Sequence, residues 1–199
     1  MGCSVEGNKV IGTHSTTLKL PRLLYVGDVP VADTKAGAVI LYRLFESYPK
    51  ERLIIVESGR YGAESDQRLK GVQYKTVNLG FRRLLRSRLS AVYNIWVHWM
   101  ARLRWRQLAS MAKNYGAEAV VTVAEGAAWI TAARLARKLN LPLHLIVHDD
   151  WPRMAFVDMP SWFRRIYEED LRLVYRQAAV RYCVSQEMSD YYQRQYGEP

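Results

Sequence analysis

His148, Asp149 and Asp150 follow directly on the apolar run Leu143–Val147 within the stretch LPLHLIVHDDWPRM. An imidazole next to carboxylates can hold or pass a proton near neutral pH. The run before them has the uninterrupted apolar character that a parallel strand buried on both faces requires. Groups able to do chemistry therefore stand where a strand ends. Other apolar runs end similarly, in Gly27-Asp28, in Glu57 and in Glu125-Gly126. Any one of these is equally an ordinary turn residue, and it is their gathering on one rim that singles them out.

A further group precedes a helical pattern. In Lys35-Ala36-Gly37-Ala38, small residues and free backbone N–H groups at a helix start would let a phosphate approach. Gly37 would serve equally well to let a helix pack closely on a strand. There is no G-x-G-x-x-G and no P-loop lysine pattern, which argues against a usual nicotinamide or ATP site. Cys3, Cys183, His14, His98, His144 and His148 show no zinc-ligand spacing, and there is no G-x-S-x-G elbow, so the sequence predicts neither a metal site nor a nucleophilic serine.

The elements that must position these residues alternate. Strands are expected at 22–26, 53–56, 72–79, 119–124, 143–147 and 180–184. Helical patterns fall at 38–48, about 90–114, 127–139, 162–178 and 186–196, with Ser161 and Ser185 as N-cap candidates and Asn140, Gly116 and Gly197 as terminators. Strict alternation implies right-handed crossovers and an α/β, doubly wound, mainly parallel sheet with helices on both faces, the first strand central. Ligands of such sheets bind at the carboxyl ends of the strands.

The chain has 199 residues, 49% of them apolar, enough for one sizeable core. Residues 20–199 are expected to form a single domain, and 1–19, rich in Gly, Ser and Thr, a flexible leader or tag remnant. Two distant cysteines suggest a reducing compartment, and no segment approaches the roughly 20 apolar residues of a membrane span. The expectation is a cytoplasmic protein, peripheral to the membrane if its basic segment binds lipid.

That segment is distinctive. No acidic residue lies between Asp66 and Glu118, while eleven Lys and Arg residues do, matching the whole net excess of +10. Within its long helix, Leu89, Val92, Trp96, Met100 and Leu103 recur at steps of three and four and are expected to form the core face. Arg82, Arg83, Arg86, Arg88, Arg102, Trp105 and Arg106 then form a basic, Trp-bearing surface suited to an anionic membrane or an acidic partner, each basic side chain adding roughly 1 kcal/mol at a bilayer. A solvated basic face is the plainer alternative, and nucleic acid is disfavoured.

Taken together, RLLYVGD, AGAVILYRLF, LPLHLIVHDDWP and VRYCVSQEMSDYYQRQYGEP resemble the amino-terminal half of a GT-B glycosyltransferase, most like the retaining enzymes of family four. The resemblance implies a Rossmann-like domain that receives an acceptor glycan or a lipid-linked acceptor. The sugar would come from a nucleotide diphosphate sugar, a co-substrate, with no cofactor. By the same resemblance Gly37 and Lys35 would approach the donor phosphates, His148 would line the catalytic cleft, and Asp149 and Glu125 would be weaker participants. The E-x7-E pair of the family's donor domain is absent, since no two glutamates stand eight positions apart. A C-terminal donor domain is thus an expected missing partner, and the chain alone is expected to be inactive. The alternative is a non-catalytic doubly wound module, or an acceptor subunit, that docks a membrane or protein partner through its basic helix.

Overall fold

The computed structural model describes residues 20–34, 36–59, 64–77, 90–150, 152–153 and 159–197. Its sheet comprises β1 (Leu23–Gly27), β2 (Leu53–Glu57), β3 (Gln73–Thr76), β4 (Ala119–Val123), β5 (Leu143–Val147) and β6 (Val180–Cys183), in the order β3-β2-β1-β4-β5-β6. Every pairing is parallel, and β1 lies at the centre with Leu23 opposite Leu53 on one side and Ala119 on the other. The expected architecture and the expected central strand are both present. The third strand is shorter than expected, and residues 78–79 of that expectation lie outside the described residues.

Because successive strand side chains point to opposite faces, each strand feeds two cores. Tyr25, Ile55 and Val121 pack with Leu41 and Phe45 of α1 (Ala36–Glu46). Leu24, Val26, Val120 and Leu145 pack beneath α2 (Ser90–Tyr115), α3 (Ala128–Leu139) and α4 (Ser161–Gln177), whose core reaches α5 (Gln186–Tyr196) through Tyr192 and Tyr196. The helix ends follow local chemistry. Asn140 takes the left-handed conformation (φ 54°) that closes α3, Gly116 (φ 69°) follows α2, and the Ser185 hydroxyl accepts from Met188 N–H at 3.2 Å. Ser161 is not a cap: Pro160 holds that position and Ser161 opens the helix.

The long helix reverses an expectation. Val92, Trp96 and Leu103 are 64%, 43% and 49% exposed, so that stripe faces outward, while Leu89 lies outside the described residues. The buried face is Tyr93, Val97, His98, Ala101, Arg104, Leu108 and Ala112. The reason is close packing. Ala101 and Ala112 let α2 lie against its neighbours, and the Ala101 carbonyl accepts from the Thr131 hydroxyl of α3 at 2.8 Å, an approach that a face of tryptophans could not make.

Candidate active site

Four of the expected site residues meet at the carboxyl edge of the sheet. His148 leaves the end of β5 with its side chain 8% exposed, and its Nε2 stands 3.3 Å from Glu125 Oε2, beyond β4, and 3.3 Å from Asp149 Oδ2. Gly37, in the first turn of α1, completes the group. A Cβ built on it would lie 2.9 Å from His148 Nε2 and 3.4 Å from its Cδ2. The missing side chain makes room for the imidazole. Lys35 lies outside the described residues.

The electrostatics favour a charged ring. The hydrogen bond to Glu125 is the main influence raising the pKa of His148 above its ordinary 6.5; burial opposes it, and the charges of Asp149 and Glu125 add to the rise. Asp149 is half-exposed (53%), whereas the ring (8%) and Glu125 (14%) are largely buried, so the imidazole sits between an inner and an outer carboxylate. A charged imidazole can donate to a hydroxyl or an anionic oxygen that reaches it. Glu125, His148 and Asp149 also offer three ligand atoms within 4.8 Å of one another, a spacing that a divalent cation would accept.

Two other rim carboxylates do structural work. Asp28, only 2% exposed, accepts from the N–H groups of Ala127 (2.5 Å) and Ala128 (2.8 Å) at the start of α3. Gly126 (φ 66°) leaves the space, for a Cβ there would fall 2.1 Å from Asp28 Oδ2. Glu57 accepts from Val31 N–H and pairs with Arg68, both at 3.0 Å. Burial raises its pKa against those two partners.

The basic segment divides. Arg82, Arg83, Arg86 and Arg88 lie outside the described residues. Arg102 is committed internally: it pairs with Asp170 at 2.5 Å, alongside His98 Nε2 at 2.8 Å, and stacks over Trp99 at 4.2 Å. Burial pushes the Asp170 carboxyl up, but the hydrogen bonds and charges of His98 and Arg102 outweigh it and hold it below its ordinary value. Trp105 packs partly buried on the core with Arg106 and Lys138 near its ring. Arg106 is exposed. The sequence reading missed two features, the outward Trp96 and the burial of Arg104. The steps 97, 101, 104, 108 and 112 carry the signal for the second, since they place Arg104 among Val97, Ala101, Leu108 and Ala112.

Fold and site together define a doubly wound, Rossmann-like α/β domain with a polar rim at the carboxyl ends of its strands. The chain belongs to Glycosyltransferase Family 4, whose family model matches residues 52–199. That match takes in Glu125, His148 and Asp149, while Gly37 precedes it. No curated protein matches the chain. Among solved structures it is similar to that of Phytolacca americana UGT2 complexed with UDP-2-fluoro-glucose and pterostilbene, with a TM-score of 0.41 and 14% identity over 64% of this chain. The aligned part spans 30% of that protein. Among the described residues no helix is long and apolar enough to cross a membrane.

Proposed function

We propose that this chain is the acceptor-side domain of a retaining glycosyltransferase that moves a sugar from a nucleotide diphosphate sugar to an acceptor hydroxyl. The observation that carries the reading is the meeting of Gly37, Glu125, His148 and Asp149 at the sheet's carboxyl edge. In this reading Glu125 orients the His148 ring and keeps it protonated, so that it donates to a hydroxyl of the transferred sugar or to the departing diphosphate. Asp149, the more exposed carboxylate, faces the acceptor. N–H groups at the start of α1 lie beside the donor phosphates. In this reading a donor domain would supply the remaining stabilisation of the leaving group, and the chain alone should not turn over.

The test uses the complete two-domain enzyme. His148→Ala should lower the rate of sugar transfer by about a hundredfold, the lower end of what a positioned acid or base contributes. Its thermal midpoint should stay near that of the parent. Unchanged transfer would remove His148 from the mechanism and with it the assignment of this rim.

A second surface favours delivery of the acceptor at a membrane. Val92, Trp96, Trp99 and Leu103 are exposed along one side of α2, in the segment that carries eleven basic and no acidic residues. Apolar and aromatic side chains with flanking cations suit an anionic bilayer surface. The apolar stripe, rather than Arg102, would make the contact, since Arg102 is held by Asp170.

A further inference from the structure

Arg104 lies on the buried face of α2 with 7% of its surface exposed. Its guanidinium makes no hydrogen bond and no ion pair among the described residues. Other arginines of the fold differ: Arg52 pairs with Glu118, Arg68 with Glu57 and Arg102 with Asp170. A guanidinium stays charged, and a charge largely withdrawn from water is costly unless an opposite charge meets it.

Three of the four oxygens of the nearby carboxylates are engaged elsewhere. Glu57 is taken by Arg68 and by Val31 N–H, and one oxygen of Asp28 by the start of α3. Asp28 is the carboxylate that acts most strongly on Arg104, yet the two form no ion pair, and Asp28 Oδ1 is buried without a hydrogen-bond partner. Burial pulls the pKa of Arg104 below its ordinary value, and Asp28 only partly offsets this.

Arg104 lines a cavity of about 20 Å³ at the carboxyl ends of β1 and β2, whose other walls are mainly apolar (Val26, Val56, Val77 and Leu108 among them) with Glu57, Ser58 and Thr131 as polar members. That space is large enough for one water-sized group, such as a single oxygen of an oxyanion. We infer that Arg104 is a binding residue for an anionic oxygen, of a phosphate or a carboxylate, carried by the acceptor. Its place in acceptor recognition rests on the function proposed above; the anion site itself does not.

The two are tested apart. Melting of this chain is followed with inorganic phosphate or with glucuronate, against sodium chloride at matched ionic strength. At least one of the two anions should raise the midpoint, because a ligand that binds only the folded state stabilises it. A response to phosphate alone assigns a phosphate-bearing acceptor, and a response to glucuronate alone a carboxylate-bearing one. Arg104→Met, which keeps much of the apolar stem, should weaken that binding at least tenfold, while Arg106→Gln on the exposed side should retain it. Without added anion, Arg104→Met should melt no lower than the parent, since it removes a largely buried residue's charge that has no ion-pair partner among the described residues. No response from the parent, or equal responses from parent and Arg104→Met, would overturn the site. So would a lower anion-free midpoint for Arg104→Met, which would make Arg104 a structural counter-charge to Asp28. Anion binding lost in Arg104→Met, with no sugar transfer by the two-domain enzyme, would keep the site and sink the glycosyltransfer role.

Discussion

The strand-end rim and the long helix α2 both carry charged and aromatic residues, yet their sequences reveal their structures to different degrees. Along β5 the apolar run has one solution, a strand covered on both faces, and its end puts His148 and Asp149 at the edge. Along α2 two apolar stripes compete on one cylinder. The stripe with the larger side chains, Val92, Trp96 and Leu103, faces outward, and the one richer in small residues is buried. Periodicity says that a helix has an apolar face; when there are two, the room between the helix and its neighbours decides which is buried.

The sharpest way to break that comparison is to cut the buried stripe. Leu108, 4% exposed in the core beneath α2, should cost about 2–5 kcal/mol when changed to Ala, the usual range for a large-to-small change in a core. Denaturant unfolding measures it. A loss near zero would mean that α2 presents its other face to the sheet.

Legibility follows the same division. The parallel sheet with β1 central, the alternation of elements and the helix ends at Asn140, Gly116 and Ser185 follow from local patterns and general rules of such folds, and they are present. The meeting of Gly37 with His148 was not legible, because α1 and the end of β5 are more than a hundred residues apart. Nor did sequence separate the rim carboxylates. Asp28 and Glu57 resemble Glu125 in following an apolar run, but backbone N–H groups and Arg68 occupy them, whereas Glu125 turns to His148.

A smaller effect sharpens the rim side of the comparison. Since the folded pKa of His148 is raised above 6.5, its protonation stabilises the fold fully below the unfolded value, and that stabilisation fades as pH rises through the folded value. His144, within β5, behaves oppositely: burial lowers its pKa, so it costs stability as pH falls through 6.5. Measured from about pH 6 to about pH 9, the stability gap between the parent and His148→Gln should therefore narrow as pH rises. For His144→Gln the pH-dependent part of the difference should favour the variant increasingly toward the acid end. A His148 gap that widened with pH would mean that the ring is held neutral and that Glu125 does not keep it charged.

The smallest expected change in stability lies on the outward stripe. Leu103 is 49% exposed, so Leu103→Ser should shift the unfolding free energy by no more than about 0.5 kcal/mol, as surface substitutions do. The sequence expectation of a core leucine would instead put the loss in the range of Leu108→Ala. Flotation adds a second reading of the same face. If this stripe meets an anionic bilayer, Trp96→Ser with Leu103→Ser should lower recovery on vesicles containing acidic lipid while the unfolding midpoint stays near the parent's. Binding by the parent should weaken with salt, because exposed charges act over only about 8 Å at physiological ionic strength. Unchanged flotation with unchanged stability would leave the stripe exposed but uninvolved in membrane contact. A large loss of stability would instead return these residues to the core and reassign the face of α2 that packs on the sheet, and Arg104 would go with it to the outside.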